Sequence, residues 1–464
     1  MNFPAWTIPH RMLFTTVAVL LGLVSTAPPA PGQAPRSEER QLPRAMHSEM
    51  SERPTIRVGR TDGDILGADH RALQAAVDYI AGLGGGVVEI GPGEFLMRDS
   101  LHLRSHVTVR GTPGQTTLRQ ADAAISPLAL DGDFGEQQVT VQDATGFDVG
   151  AGVAIWDDHS GGFHTTVARI TGRRGNTFSI DTPLMADCMV ANHAQAATVF
   201  PIVSGSHIEG AQVEDLIIEG SRSTNPPLNG CRGAGIYLYR GFGTVIRRCV
   251  VRNYPGDGIS FQQSNDVTVA DCVSEDNAEL GFHPGSGSQR PVLRGNLARR
   301  NGTDGLFLCW RVRHGLFENN RLEANGRFGI SIGHKDSDNL LRGNHVVNNG
   351  SHGIFFRDES EGMAPHRNRL IGNVIEENGK APGTAGIRIR GEPSDLLFQE
   401  NVIRDPRPET SRTQTVGILI EDRVGPLRIE ANQIDAPTPI DDRRPGQASP
   451  ASGESEIHRL PGSQ

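Results

Sequence analysis

From residue 235 onward, glycine followed by a large apolar residue keeps returning. It stands at Gly235-Ile236, Gly258-Ile259, Gly281-Phe282, Gly305-Leu306, Gly329-Ile330, Gly353-Ile354, Gly386-Ile387 and Gly417-Ile418, in steps of 23, 23, 24, 24, 24, 33 and 31 residues. Two further columns run in phase with it. One is Cys249, Cys272, Asn296, Asn320, Asn344, Asn373, Asn401, Asn432; the other is Asn253, Asn277, Asn301, Asn325, Asn349, Asn378. A fixed period in this range marks stacked supersecondary units, so each period predicts one coil of a solenoid. Inside a coil apolar and polar positions alternate, as in Gly329-Ile330-Ser331-Ile332-Gly333 and Gly386-Ile387-Arg388-Ile389-Arg390. Alternation of period two is the signature of a strand, so residues one and three places after the glycine point inward. Parallel strands stack ~4.8 Å apart, which brings equivalent side chains of successive coils into contact. The asparagines are expected at tight bends, adopting the left-handed conformation and bonding the next coil through their amides. Cys249 and Cys272 occupy the same ladder and are expected to be small buried packing residues.

An open stack exposes edges at its ends. Residues 69–83 predict a plug, because Leu73, Ala76, Val77, Ile80 and Leu83 recur at helical spacing and Gly84-Gly85-Gly86 stops the helix. The strand Val87-Val88-Glu89-Ile90 and the turn Gly91-Pro92-Gly93 follow. The run from Ala72 to Gly93, with the repeats, resembles the right-handed parallel β-helix superfamily of pectin-lyase-like proteins, over roughly residues 60–435. The expected fold is therefore all-β: a single-stranded right-handed parallel β-helix with an N-terminal capping helix. Between 134 and 200 the period is lost. Val139-Thr140-Val141, Val153-Ala154-Ile155 and Phe178-Ser179-Ile180 predict an inserted small β-module, and its loop Trp156-Asp157-Asp158-His159 to Phe163-His164 is suited to lining a cleft. The expected order is a signal peptide at 1–27, a disordered linker at 28–55, cap and first coils at 56–133, the module at 134–200, repeats at 201–435 and a disordered tail at 436–464.

The signal reading rests on Arg11, the apolar run Met12 to Val24, and Ser25-Thr26-Ala27, too short a run to span a membrane comfortably. Export to the periplasm or medium follows as the expectation, with no integral membrane segment after cleavage. Five cysteines are an odd number and form no disulfide framework. A net charge of −9 gives no reason to expect a nucleic-acid partner. Of the 45 basic residues only Lys335 and Lys380 are lysines.

The columns locate candidate chemistry. Three consecutive coils stack Trp310-Arg311 on His334-Lys335 on Asp358-Glu359, with Arg357 and Asp336 adjoining. Sugars bind by aromatic stacking and polar forks, and catalysis needs an acid and a base in reach. Lysine can lose its proton where burial or cations lower its pKa, which arginine effectively cannot, so Lys335 stands out in an arginine-rich chain. The run from Gly281-Phe282-His283-Pro284 to Arg357 is similar in spacing to the catalytic coils of mannuronan C5-epimerases. In this chain His283 replaces their aspartate, Gly285 their histidine, and Cys309 a further aspartate. Thr303-Asp304-Gly305, Gly329-Ile330-Ser331-Ile332-Gly333 and Arg388-Ile389-Arg390 resemble polygalacturonase motifs, without the paired aspartates between the first two.

The first expectation is an exported enzyme that cleaves an acidic polysaccharide by β-elimination, acting as a monomer. Lys335 or His334 would abstract the proton beside the uronate carboxyl, Arg357 and Arg311 would neutralise that carboxylate, and Trp310, Tyr237 and Tyr239 would hold sugar rings, with His283 and Asp336 also binding substrate. A glycoside hydrolase using Asp336, Asp358 and Glu359 is the second reading, and a non-catalytic glycan-binding or cell-surface β-helix the third. No cofactor is required. Carboxylates of neighbouring coils, Asp336, Asp358, Glu359 or Glu361, offer hard oxygen ligands that calcium could use, although the sequence does not require it.

Overall fold

The computed structural model of the chain describes residues 52–446. The segment read as a signal peptide, most of the linker and the end of the tail lie outside the described residues. Three long sheets, of thirteen, eleven and eleven parallel strands, run the length of the solenoid. Each coil contributes one short strand to each of them, and the chain turns sharply between strands. The all-β solenoid expected from the period is therefore the fold.

The glycine column sets the register. Ile236 pairs with Ile259, Ile259 with Phe282, Phe282 with Leu306, Leu306 with Ile330, and the series continues through Ile354 and Ile387 to Ile418. These side chains are buried in one continuous core. Burying an isoleucine or phenylalanine stabilises by about 1.5–3 kcal/mol relative to leaving it exposed, and stacking identical positions repeats that gain at every coil.

The asparagine ladders are real but work differently from the expectation. Asn301 Nδ2 donates to Asn325 Oδ1 (3.0 Å) and Asn325 Nδ2 to Asn349 Oδ1 (2.9 Å), while each Oδ1 also accepts the backbone N–H of the preceding coil's asparagine. The left-handed conformation falls on the residue before the ladder position, as at Ala324 (φ 53°), Asn348 (φ 54°) and Glu377 (φ 58°). The bend is made first, and the asparagine then turns inward to satisfy backbone groups that the bend leaves without sheet partners. Tyr254, not Asn253, occupies the ladder in its coil: its N–H is held by Asn277 Oδ1. Cys249 and Cys272 are buried, as expected of packing residues.

Helix α1 (His70–Gly82) caps the N-terminal end. Asp69 accepts hydrogen bonds from the N–H groups of Arg71 and Ala72, two donors that a helix start leaves free. Leu73, Ala76, Val77 and Ile80 join the core, whereas Leu83, past the last turn, is exposed. Two expected boundaries move. The module begins before residue 134, since Ile125–Pro127 is an edge strand of its six-stranded antiparallel sheet, and the last strand of that sheet in the chain is Gln195–Ala197. The strand Thr438–Asp442 lies inside the segment expected as tail, because Val416–Ile420 still presents an unpaired edge for it to join. No helix among the described residues is long and apolar enough to cross a membrane.

Candidate functional site

One of the eleven-stranded sheets carries its outward side chains beneath the inserted module. Between them lies a cleft of about 590 Å³. Its floor is built by strands Asp257–Gln262, Phe282–Gly285 and Leu306–Phe307, and its far wall by Trp310 and His334 at the following bends. Over it reach the module loop, with Trp156 and Phe163, and the segment from Pro227 to Cys231. The two coverings are tied together, since Arg232 Nε donates to the Phe163 carbonyl at 2.6 Å. The cleft-lining role expected of the loop Trp156 to His164 is what the geometry shows.

Asp257 and His283 form the heart of the floor. Asp257 Oδ2 accepts from His283 Nδ1 at 2.6 Å, and both side chains are buried. Gly230 passes directly over the pair. A Cβ there would sit 1.6 Å from Asp257 Oδ2 and 2.7 Å from His283 Nδ1, so only glycine permits the approach. Burial opposes charge on His283, but Asp257 and then Cys309 outweigh it and the ring is pushed up to about 10. With Nδ1–H given to Asp257, the Nε2–H is a charged, buried donor with no hydrogen-bond partner. The Cys309 thiol is its neighbour; Cys231 and burial keep that thiol far above its ordinary value, against the pull of His283, so it is a neutral SH. The hydroxyl of Thr303, also at the cleft, is likewise buried without a partner.

This pair makes stability depend on pH. The folded protein holds a proton on His283 that the unfolded chain releases at its ordinary value of 6.5, so the contribution is complete below that pH and is lost as pH rises through about 10. Urea midpoints across this range are expected to fall with rising pH in the parent protein. In Asp257→Asn the slope should flatten; an equal slope in both would remove the pair as its source.

The opposite wall is set differently. Trp310 stacks on His334 with centroids 5.1 Å apart and planes 20° from parallel, and meets Phe163 edge-on at 6.3 Å. His334 Nε2 lies 2.9 Å from Glu359 Oε1, and Nδ1 accepts from Arg357 Nη2 at 3.4 Å, which places the proton on Nε2. Burial, then the Arg357 charge, hold His334 below the ordinary histidine range, so it is neutral at pH 7. Glu279 stands at the cleft with its carboxyl pushed upward by burial and by Asp257. Arg327 beside it is held by Asp304 through two contacts of 2.8 Å.

Of the residues expected in the site, His283, Trp310 and His334 line the cleft, and Glu359 supports His334. The others lie elsewhere. Lys335 does not line it: the chain bends with positive φ at both 334 and 335, ending the alternation, and the Lys335 N–H goes to the Met363 carbonyl. Asp336 is fully buried and accepts from Val312 N–H, Gly333 N–H and Arg357, so no substrate reaches it; burial pushes its carboxyl up to about 7. Arg357 does not line the cleft: it is bonded to Ser331 Oγ and the Leu308 carbonyl, with its guanidinium 4.3 Å from the centre of the Phe307 ring. Asp358 is turned outward onto Arg390 and Arg423. Arg311 backs the Trp310 ring at 5.7 Å. Tyr237 and Tyr239 line a separate cleft nearer the N-terminus, and the Tyr237 hydroxyl is spent on the Cys231 carbonyl. The carboxylates suited to calcium do not converge, and no group of three metal-ligating side chains occurs among the described residues.

Sequence reading missed Asp257, Thr303 as a cleft residue, Glu279 and Arg327. A signal existed for the first. The position before each repeated glycine is apolar in five of the eight coils, and Asp257 and Asp304 stand out in that column.

The family model described as "Right handed beta helix region" matches residues 192–311 and 234–403. The A-module of mannuronan C-5 epimerase AlgE4 from Azotobacter vinelandii superposes with a TM-score of 0.56 at 18% identity, covering 82% of this chain and 88% of that one. The AlgE6 A-module from the same organism gives 0.53 at 17% identity, covering 84% and 100%. The Dettilon tailspike protein gives 0.53 at 12% identity, covering 83% and 68%. No curated protein matches the sequence. At these identities the likeness is one of fold, and together with the coil register and the matched repeat region it shows that the chain has the right-handed parallel β-helix fold.

Proposed function

We propose that the protein is an exported carbohydrate-active enzyme that cleaves a uronate-containing polysaccharide by β-elimination in the cleft between the inserted module and the solenoid. The observation that carries this reading is the His283 Nε2–H, a buried cationic donor without a partner on the floor of an aromatic-walled cleft. A buried charged donor left unpaired is costly, and an anionic oxygen on a ligand relieves that cost. A sugar carboxylate supplies it, while Trp310 and Phe163 offer faces for pyranose rings. His334 then acts as base. It is neutral, its Nδ1 lone pair is engaged only by Arg357 Nη2 at a long 3.4 Å, and an incoming carboxylate stabilises the imidazolium it becomes. The shared fold with two epimerase modules supports a uronate substrate, and the N-terminal apolar run supports export.

The test uses purified protein with a panel of uronate polysaccharides, following ultraviolet absorbance of unsaturated products beside a reducing-end assay in D2O. Both signals rising together is the expected result. Deuterium entering the uronate without cleavage would replace elimination by epimerisation at the same base. New reducing ends without absorbance would overturn proton abstraction and move attention to Glu279.

A further inference from the structure

The second cleft, of about 400 Å³, lies nearer the N-terminus, on the far side of the Arg232–Phe163 tie. Its lining includes a chain of three side chains that the cleavage reaction does not use. Ser204 Oγ is 3.1 Å from His102 Nδ1, and His102 Nε2 is 3.0 Å from Asp99 Oδ2. Ser204 and His102 are paired neighbours on adjacent parallel strands, so register brings them together; Asp99, from the turn before the His102 strand, completes the line.

The protonation pattern follows from chemistry. An ionised carboxylate only accepts, so His102 carries its proton on Nε2 toward Asp99 and presents the Nδ1 lone pair to the Ser204 hydroxyl. Asp99 is buried and also bonded by Arg169 Nε. Burial favours its neutral form, yet His102 and Arg169 together hold its carboxyl below the usual range. Ser204 and His102 are only half-buried and face the cleft. Arg232 lines the same cleft with its Nε held by the Phe163 carbonyl, which fixes a guanidinium in its wall.

We infer that Ser204, His102 and Asp99 form a second active centre, one that hydrolyses short-chain carboxylic esters. Ser204 Oγ bonds to the acyl carbon as the ester C–O bond breaks; its proton passes to His102 Nδ1 and on to the leaving alkoxide, releasing the alcohol. Water then bonds to the acyl carbon and gives a proton to Nδ1. The Oγ–acyl bond breaks, Oγ recovers that proton, and the carboxylic acid leaves. Arg232 faces the charge that develops on the carbonyl oxygen.

The test uses the full mature chain with p-nitrophenyl acetate and, separately, a fluorophosphonate probe followed by peptide mass mapping. The expected result is turnover that falls by about 100-fold or more in Ser204→Ala and in His102→Gln, with the probe attached to Ser204. Far-ultraviolet circular dichroism of each variant checks the fold, and Ser204→Cys should retain labelling by a thiol-reactive ester if the geometry is right. His334→Ala should keep full esterase activity, which separates failure here from failure of the cleavage reaction. No turnover in the parent protein, hydrolysis unchanged in Ser204→Ala, or a probe adduct elsewhere would each overturn the assignment.

Discussion

Replacing His334 by alanine is expected to lower turnover in the proposed β-elimination by about 10²–10⁴-fold while leaving KM nearly unchanged. The magnitude is that of removing a general base whose contribution comes in the transition state. The ring is stacked on Trp310 on one face and lies beside Glu359 at Nε2, so its loss removes the lone pair while Trp310 and Phe163 remain to hold sugar. Lys335→Ala should leave both constants unchanged, since Lys335 does not line the cleft. Because burial and Arg357 lower the pKa of His334, the acid limb of the kcat/KM profile should fall below the ordinary histidine value of 6.5. Activity is lost as pH drops through that limb, where the base becomes protonated. Steady-state kinetics of both variants across pH 4–9 check this. A collapse in Lys335→Ala with His334→Ala spared would sink the assignment.

The second large effect concerns folding. Asn325→Asp preserves shape but removes both donors of a side chain that is 1% exposed. Asn325 donates to the Ala298 carbonyl (3.1 Å) and to Asn349 Oδ1 (2.9 Å), so the new carboxyl oxygen would face two acceptors. A loss of about 3 kcal/mol or more is expected, from a buried acceptor facing two acceptors and from the two amide hydrogen bonds that are lost. Burial raises the folded pKa of the introduced aspartate above its unfolded value of about 3.9, so the loss grows as pH rises from there. Urea unfolding of the repeats at pH 5 and pH 8 would show it, larger at pH 8. A variant within ~0.5 kcal/mol of the parent at pH 8 would mean that the ladder is not a stabilising device.

His283 shows how a repeat position becomes chemistry. Its neighbours in the same outward column are Ser260 and Phe307, ordinary occupants of a solenoid face. The sequence places His283 in that column but does not reveal its charge. That comes from Asp257, 26 residues earlier, at the position just before the repeated glycine, and from Gly230 sealing the pair from above. Lys335 shows the reverse. Its rarity made it prominent in the chain, yet positive φ at 334 and 335 takes it out of the strand's alternation. Asp336 was legible as a carboxylate beside the patch, but its partners are backbone N–H groups of two coils, which no composition argument can see.

The solenoid itself was written in local patterns. Alternation sets which side chains face inward, the period sets which of them touch, and the columns of glycine and asparagine hold the register, so the core of the coils from 235 onward follows from spacing alone. The clefts were not, because their walls come from segments remote in the chain. Phe163 and Arg232 are 69 residues apart, and Ser204 lies 102 residues from His102. Whether a histidine is charged, neutral or ready to take a proton depends on burial and on the nearest carboxylate or guanidinium. Those are properties of the packed molecule, and they emerge only when the inserted module and the coils come together in space.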